Sequence, residues 1–255
     1  MDILLVTIGT LVSVLYAWGY SKLDYMFDRS EIARFLRKLI WQKSTDSLNM
    51  KTYQLIINDY KQAIHAETID QPFISNFLNY LNPKSKILDY GCGGGTLTAN
   101  LNQQGYSCVG SDISNDFLSV AKETYPNIEY LNADSEKLVK EGFICDGIIA
   151  AYSLIHLQKI MIGHVLADFR KLMPKGGYLY LALQCDSSDT LCIGSEGKFP
   201  VPYRPELALF LNLFSDDEIR IGLNLEGFEV VEIQHRNPVE NEFPFRKMFV
   251  IAKCV

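Results

Sequence analysis

The sequence lacks paired cysteines. Its six cysteines form no Cys-x-x-Cys motif and have no histidine at the short spacings of zinc ligands; they are Cys92, Cys108, Cys145, Cys185, Cys192 and Cys254. The pattern therefore argues against a metal site and against a disulfide framework. We expect a chain without a metal, in a reducing compartment.

The sequence also lacks an excess of basic charge and any compositional bias. Its 255 residues include 24 Lys and Arg against 30 Asp and Glu, which gives a net charge of −6 and provides no basic field to attract nucleic acid. With 48% hydrophobic and 21% charged residues, the composition is that of a globular protein and excludes a disordered, collagenous or coiled-coil chain.

One long hydrophobic run stands out at the start. No charged residue occurs from Ile3 to Gly19, which is close to the minimum length for a helix that spans a membrane. Basic residues follow this run more than they precede it, so the positive-inside rule predicts a single anchor with the rest of the chain at the cytoplasmic face of a membrane. The alternative is a buried or interfacial helix of a soluble protein.

The pattern divides the chain into three parts. Residues 1–20 form the hydrophobic segment, and residues 21–50 hold a basic amphipathic helix, from about Ser30 to Ile40, and a polar linker. This helix could lie in the headgroup layer or pack against the main domain. Residues 51–255 begin with two helical stretches, around Tyr53 to Tyr60 and Phe73 to Leu81, and continue as the main domain.

Short apolar runs alternate with helical stretches from Lys86 onward, which predicts an α/β fold with a parallel sheet covered on both faces. The last two runs are joined by a loop too short for a crossover helix, so they must be antiparallel and make the sheet mixed. The predicted strands are Lys86–Asp89, Ser107–Asp112, Asn127–Leu131, Ile144–Ala151, Gly177–Leu183, Phe228–His235 and Arg246–Lys253.

Glycines and an acid follow the first predicted strand. Asp89, Gly91, Gly93 and Gly95 precede a predicted helix from Thr96 to Gln104, so the backbone can approach a ligand at a helix N-terminus. The spacing fits a nicotinamide-cofactor fingerprint poorly because Thr96 falls where a third small residue is needed. An acid at position 89 suits a ligand that carries an ammonium group.

Two further acids end the next strands. Asp112, followed by Ile113, is placed to accept both hydroxyls of a ribose, and Asp134 is placed to accept from an exocyclic amine such as that of adenine. Each acid alone is also typical of a surface turn. Together with the glycines, they predict a nucleoside-binding site at the carboxyl ends of the strands.

These motifs resemble those of the class I S-adenosylmethionine-dependent methyltransferases over about residues 53–253. ILDYGCGGG, GSDIS and LNADSEKL resemble the family's three cofactor-binding motifs, and FICDGIIAAYSLIHL and KLMPKGGYLYLAL its fourth and fifth strands. FSDDEIRIGLNLEGFEVVEI resembles the helix and strand before the last hairpin. The resemblance implies a Rossmann-like seven-stranded sheet of order 3-2-1-4-5-7-6, with strand 7 antiparallel and helices on both faces.

The resemblance also implies roles for individual residues. Asp89, Gly91, Gly93 and Gly95 would surround the methionine part of S-adenosyl-L-methionine. Asp112 with Ile113 would hold the ribose, and Asp134 with Ser135 would flank the adenine. Ala151 would lie near the transferred methyl group, and Tyr60 resembles a tyrosine that many members place over the cofactor.

Candidates for acceptor chemistry are fewer. His156 could take a proton from an acceptor or could be a packed side chain that shapes the pocket, and Tyr152 could orient an acceptor or merely pack. The insertion at about 184–214 is too long for a simple connection, so we expect it to cover the acceptor site. Within it, Tyr203 and Arg204 are candidate contacts, and Leu207 to Phe214 is predicted to be a short apolar helix or lid.

The predicted function is methyl transfer from S-adenosyl-L-methionine to a small-molecule acceptor by in-line displacement. A membrane anchor favours a lipid-like or quinone-like acceptor. Nucleic acid is not expected because the sequence lacks a Pro-Pro-aromatic motif after strand four and a Pro-Cys nucleophile. Two alternatives remain: an NAD-dependent oxidoreductase on a similar sheet, and a non-catalytic membrane-tethered module that binds S-adenosylmethionine.

Overall fold

The computed structural model describes residues 48–57, 69–185 and 196–255. The hydrophobic segment 3–19, the amphipathic helix within 21–50, Tyr60 and part of the insertion (186–195) lie outside the described residues. No helix in the described ranges combines the length and the apolar character needed to cross a membrane.

The domain is built on a mixed sheet with helices on both sides. The helices are α1 (residues 48–57), α2 (Gln71–Leu78), α3 (Thr96–Gln103), α4 (Asn115–Thr124), α5 (Ser135–Lys140), α6 (Lys159–Leu172) and α7 (Asp216–Leu225), with a short 3-10 helix at Leu154–His156. The strands are β1 (Lys86–Tyr90), β2 (Ser107–Asp112), β3 (Tyr130–Asn132), β4 (Gly147–Ala151), β5 (Tyr178–Cys185), β6 (Glu196–Val201), β7 (Arg204–Phe214), β8 (Phe228–Arg236) and β9 (Arg246–Cys254).

The predicted strand order is confirmed. Strands β3, β2, β1, β4 and β5 are parallel neighbours in that order, β9 pairs antiparallel along the whole of β5, and β8 pairs with β9. This is the seven-stranded order 3-2-1-4-5-7-6, in which β9 takes the place of strand 7. Parallel strands place their carboxyl ends, and thus the loops that follow them, at one edge of the sheet.

Both faces of the sheet are buried, which explains the near-continuous apolar runs in its central strands. Along β5, Leu179, Leu181 and Leu183 contact one hydrophobic cluster with helix α6, while Tyr180 and Ala182 contact another with helix α2. The alternation fixes the register of β5, because a slip of one residue would exchange the two faces.

The insertion forms an additional hairpin. Strands β6 and β7 pair antiparallel, and the end of β7 pairs parallel with the end of β5 at Gln184 and Cys185. The prediction of a short apolar helix at Leu207 to Phe214 is therefore wrong, since these residues lie in β7. Residues 209–214 are buried on both strand faces, so their sequence lacks the alternation that identifies a strand.

Candidate active site

A cavity of about 690 Å³ opens at the carboxyl edge of the sheet. Its walls come from the loop after β1, the ends of β2, β4 and β5, helix α1, the turn of the β6–β7 hairpin and the segment before β9. The volume lies within the range of small-molecule and cofactor sites. The cavity is thus the candidate active site.

The glycine loop gives this cavity a backbone wall. Gly91 and Gly93 line it with φ angles of 76° and 51°, which residues other than glycine rarely adopt. A Cβ atom on Gly91 would lie 2.4 Å from Cβ of Ser153, so there is no room for a larger residue. Gly95 ends the loop as the N-cap of α3, with φ 80°.

Asp89 is buried at the end of β1 and faces the cavity. Burial raises the pKa of its carboxyl to about 7, although a 2.6 Å hydrogen bond from Thr98 Oγ1 to Oδ2 acts in the opposite direction. At neutral pH about half of the molecules therefore carry the proton on this carboxyl. A cation bound beside it would stabilise the ionised form.

Asp112 joins the end of β2 to the glycine loop. Its Oδ2 accepts from the backbone N–H of Gly93 at 3.0 Å, and its Oδ1 accepts from that of Ser114 at 2.8 Å. Burial raises the pKa of this carboxyl, while the two backbone donors oppose that shift. Asp112 and Ile113 both line the cavity, where each carboxylate oxygen retains a lone pair for a ligand hydroxyl.

Helix α1 covers the cavity and is fixed to the insertion hairpin. Asn49 exchanges two hydrogen bonds with the backbone of Phe210, at 3.1 and 2.8 Å, and Thr52 Oγ1 donates to Ala208 O at 2.9 Å. At its other side, Gln54 donates to Asp116 of α4 at 2.7 Å. Helix α1 therefore bridges the cavity from α4 to β7.

His156 takes part in the same attachment. Its Nε2 lies 2.6 Å from Tyr53 Oη, and its Nδ1 lies 3.3 Å from Phe210 O. Burial lowers the pKa of the imidazole to about 4, so His156 is neutral at pH 7. The arrangement fits a ring that donates from Nδ1 and accepts at Nε2.

Four charged side chains form a closed network at the other end of the cavity. Arg236 donates through Nε to Asp70 at 2.6 Å and makes a paired contact with Glu242 at 2.7 and 2.6 Å. Lys247 Nζ lies 3.9 Å from Glu242. Two positive charges thus balance two negative charges.

Tyr152 is fixed by this network. Its hydroxyl donates to Asp70 Oδ2 at 2.7 Å, and its backbone N–H donates to Ala182 O at 2.9 Å. With φ 55° it has a left-handed conformation that is unfavourable for an aromatic residue, and such strain is characteristic of functional sites. Burial raises the pKa of its phenol, so Tyr152 is protonated across the physiological range.

The structure brings most of the predicted site residues together. Those that line the cavity are Asp89, Gly91, Gly93, Asp112, Ile113, Ala151, Tyr152, His156 and Tyr203. Gly95, Asp134, Ser135 and Arg204 do not line it, although Ala133 beside Asp134 does. The binding roles assigned to these residues remain predictions.

The residues outside the lining have local contacts of their own. Asp134 caps α5 by accepting from Lys137 N at 2.8 Å, and Ser135 Oγ donates to Asp168 at 3.0 Å. Arg204 forms an ion pair with Glu206 on the hairpin. Asp134 and Ser135 therefore hold the start of α5, which positions Ala133 against the cavity.

Sequence reasoning missed several polar groups of the cavity. Tyr53, Asp70, Tyr180, Gln184 and Lys247 all line it. Only Tyr180 lies in a segment that resembles the family, KLMPKGGYLYLAL, and nothing in that segment marks it as a site residue. These residues come from α1, the residue before α2, β5 and β9, which only the tertiary fold brings together. The one local signal was the position of Gln184 at the end of a predicted strand.

A separate cluster contains residue types that bind metals. Ligand atoms of Cys185, Asp216 and His235 lie within 4.8 Å of one another, a proximity that their sequence spacing does not indicate. His235 Nε2 and Asp216 Oδ1 are already 2.9 Å apart in a hydrogen bond. This contact accounts for the pair without a metal ion.

The sheet order and the acids at the ends of β1 and β2 define the class I S-adenosylmethionine-dependent methyltransferases. The family model described as a methyltransferase domain matches residues 60–233. The chain therefore belongs to this methyltransferase family, as its sequence motifs predict.

Similar proteins agree with this class. The chain is 29% identical over 97 residues to a demethylmenaquinone methyltransferase of Chlorobaculum tepidum, covering 38% of this chain and 39% of that protein. It is 28% identical over 102 residues to a ubiquinone biosynthesis O-methyltransferase of Aliivibrio fischeri, covering 38% and 43%. The chain thus spans less than half the length of these curated relatives.

Among solved structures, the fold is similar to that of the 1,6-didemethyltoxoflavin-N1-methyltransferase of Burkholderia thailandensis, solved with its acceptor and S-adenosylhomocysteine. The TM-score is 0.65 at 16% identity, and the match covers 82% of this chain and 88% of the other. At this identity the likeness shows the fold alone.

Proposed function

We propose that the protein transfers the methyl group of S-adenosyl-L-methionine to a small, quinone-like or lipid-like acceptor by in-line displacement. One observation carries the proposal: the cavity runs without interruption from Asp112 and the glycine loop, past the end of β4, to the end of β5 and the start of β9. It thus offers adjoining space for a cofactor and an acceptor. The quinone-biosynthesis activities named for the curated relatives support this acceptor class.

The residues around β1 and β2 fit the cofactor. Asp112 would accept from the ribose hydroxyls, beside Ile113, and Asp89 would face the ammonium of the methionine part. Gly91 and Gly93 would let the backbone approach that part, with Gly95 ending the loop. Ser111 Oγ and Ser153 Oγ are buried without a hydrogen-bond partner in the described residues, and both residues line the cavity, so they could satisfy a bound ligand.

The adenine would lie near the end of β3. Ala133 lines the cavity there, and we assign Asp134 and Ser135 to the same edge because they hold the turn that positions Ala133. Tyr60, which lies outside the described residues, is kept as a candidate for covering the cofactor. Ala151 at the end of β4 would lie nearest to the methyl group.

When bound, S-adenosylmethionine supplies an electrophilic methyl group attached to a sulfonium leaving group. The chain's own part is to align an acceptor with that methyl group and to exclude water. Tyr152 is suited to alignment because Asp70 holds its hydroxyl proton, which leaves an oxygen lone pair to accept from an acceptor group. Tyr203, in the turn of the insertion hairpin, would close the acceptor side, and Arg204 would support that turn.

His156 is better suited to positioning than to proton removal. Its two nitrogens face Tyr53 and the Phe210 carbonyl, and burial lowers its pKa to about 4, which makes it a weak base. We therefore assign it to holding α1 over the cavity.

The hydrophobic segment 3–19 supports a lipid-like acceptor and an attachment to the cytoplasmic face of a membrane. Fractionation of cells that make the full chain or a chain without residues 3–19 would test this attachment. The full chain should sediment with membranes and the shortened chain should not; equal partition would contradict the proposal.

A labelled-methyl assay tests the proposed function. Cell lysate is incubated with the protein and S-adenosylmethionine labelled in the methyl group, and lipid and aqueous extracts are counted separately. We expect label in the lipid extract with the native chain and none with Asp112→Ala. Cofactor binding without transfer to any extract would favour a non-catalytic module, and binding of NADH in place of S-adenosylhomocysteine would favour an oxidoreductase.

A further inference from the structure

Strand β5 presents three residues to the cavity on one face: Tyr180, Ala182 and Gln184. Ala182 is the register partner of Ala151 in β4, beside the point where we place the methyl group. Along a strand, Tyr180 and Gln184 stand about 13 Å apart with the small Ala182 between them. Two polar side chains therefore flank an open position next to the proposed reaction centre.

Tyr180 ends in an unsatisfied hydroxyl. The residue is 1% exposed, and its Oη has no hydrogen-bond partner within the described part of the chain. Its ring is held by Phe77 and Phe249, with centroid distances of 5.6 and 6.4 Å. A buried hydroxyl without a hydrogen-bond partner is unfavourable. Because the Tyr180 hydroxyl belongs to a residue of the cavity wall, we infer that an atom of a bound ligand is its partner.

The amide of Gln184 has a fixed orientation. Lys247 Nζ donates to Gln184 Oε1 at 2.8 Å and to the carbonyls of Phe243 and Phe245 at 2.9 and 3.0 Å. An ammonium group only donates, so the atom that faces Lys247 must be the amide oxygen. Gln184 Nε2 is then on the opposite side of the amide from Lys247, and Gln184 lines the cavity.

The charges around this position are already satisfied. Lys247 uses all three of its N–H groups, and Arg236 is paired with both Asp70 and Glu242. A charged ligand would be buried here without a counter-ion, which is costly. The walls beside it are apolar, from Ile74, Val201, Leu209 and Phe243.

We propose that Tyr180 Oη and Gln184 Nε2 are the hydrogen-bond donors that recognise the methyl acceptor, and that the acceptor is an uncharged compound with oxygen atoms that accept from both. Lys247 is a positioning residue, because it acts through the orientation of Gln184. This assignment rests on the proposed function and specifies the acceptor end of the same cavity.

The test compares two probes that differ in oxygen. 1,4-Dihydroxynaphthalene, kept reduced under anaerobic conditions, offers two oxygens, and 1,4-dimethylnaphthalene offers none. Calorimetry measures the binding of each probe to the full chain with and without S-adenosylhomocysteine, and the binding of S-adenosylhomocysteine alone. We expect the diol to bind more tightly than the dimethyl compound.

Three variants separate recognition from packing. Gln184→Glu keeps an oxygen facing Lys247 but replaces the Nε2 donor with a second carboxylate oxygen, which adds one negative charge beside Lys247. Tyr180→Phe removes the unpaired hydroxyl, and Tyr178→Phe is a control on the same face of β5 outside this cavity. The first two should each weaken diol binding about three- to tenfold. They should not change binding of S-adenosylhomocysteine or the dimethyl compound, and Tyr178→Phe should change none of these.

Stability provides an independent readout. A hydroxyl with a purely structural role would stabilise the fold, whereas Tyr180→Phe should leave the melting temperature equal or higher because the lost hydroxyl has no partner. The inference is overturned if the native chain does not prefer the diol, or if Tyr180→Phe and Gln184→Glu bind it as the native chain does. Failure of S-adenosylhomocysteine to bind would instead refute the cofactor assignment, since the diol is also titrated alone.

Discussion

The hydroxyl of Tyr53 lies 2.6 Å from Nε2 of His156. Because Nδ1 of the ring faces the carbonyl of Phe210, the Tyr53 hydroxyl is the donor of this hydrogen bond. Tyr53 belongs to helix α1, and His156 ends the short helix that follows β4. The hydrogen bond therefore joins helix α1, which covers the cavity, to the short helix that follows β4. Since His156 is neutral at pH 7, this contact is a hydrogen bond between neutral groups and not an ion pair.

Replacement of Tyr53 by Phe should loosen this cover. The change leaves Nε2 of His156 buried without its donor, which costs about 1–3 kcal/mol of unfolding free energy. Denaturant unfolding measures this loss, with Tyr80→Phe, at a more exposed ring, as the control. If His156 only positions α1, then KM for S-adenosylmethionine should rise more than kcat falls. A large fall in kcat with unchanged KM would instead indicate a catalytic role.

The pH dependence of stability gives a second test of His156. Its pKa of about 4 in the folded chain is below the ordinary value of 6.5, so the unfolded chain binds the proton more tightly. The stabilisation from the neutral ring is complete above pH 6.5 and is lost as the pH falls toward 4. The native chain should therefore lose more stability over that range than His156→Gln. Parallel curves would show that the ring is not buried as described.

Cofactor binding should depend on pH through Asp89. Its pKa of about 7 in the free protein means that a bound ammonium group must displace a proton near neutral pH. The ionised fraction of one group with this pKa rises about tenfold from pH 6 to pH 8. Affinity for S-adenosylhomocysteine should therefore rise by up to about tenfold over the same range. Calorimetry in phosphate and Tris buffers should detect the released proton, and Asp89→Asn should abolish both effects. A native affinity that is the same at both pH values would place the ammonium elsewhere.

Sequence patterns predicted the part of the site that local chemistry defines. Gly91 and Asp112 sit at strand ends that short apolar runs identify, and their roles depend on backbone conformation and on residues close in sequence. Asp70 and Arg236, by contrast, are 166 residues apart and meet only because β8 reaches the cavity through its pairing with β9. No periodicity in either segment encodes that pairing.

The acceptor end of the cavity could not be predicted from the sequence for the same reason. Lys247 and Gln184 are register partners across β9 and β5, and their contact fixes the orientation of the amide. The apolar segment that forms β7 could not be assigned from its sequence for a different reason. It is a strand because it pairs with β6 and β5, and its own residue pattern does not distinguish a strand from a helix.

Asp112→Ala should abolish cofactor binding. The change removes the acceptor for the ribose hydroxyls and both hydrogen bonds to the backbone of Gly93 and Ser114. We expect affinity for S-adenosylhomocysteine to fall by about a hundredfold or more, because hydrogen bonds to a charged group are among the stronger ones. Glu123→Ala, which removes an exposed carboxylate of the next helix, is the control for net charge and should bind normally. Equal affinities of the two variants would mean that the ribose lies elsewhere.

Gly91→Ala should damage the site through two separable effects, strain and collision. At φ 76° any Cβ is strained, and at this position it would also lie 2.4 Å from Cβ of Ser153. Gly105 has φ 95° and no atom within 4 Å of the added Cβ, so Gly105→Ala measures the strain alone. Strain should cost about 1–3 kcal/mol of unfolding free energy in both variants. Gly91→Ala should cost more because the glycine loop or the segment after β4 that holds Ser153 must move. Only Gly91→Ala should also weaken S-adenosylhomocysteine binding, since the displaced loop is the wall against which we place the methionine part. Equal stability losses with unchanged binding would show that the loop relaxes freely and that its close approach to Ser153 does not shape the cofactor site.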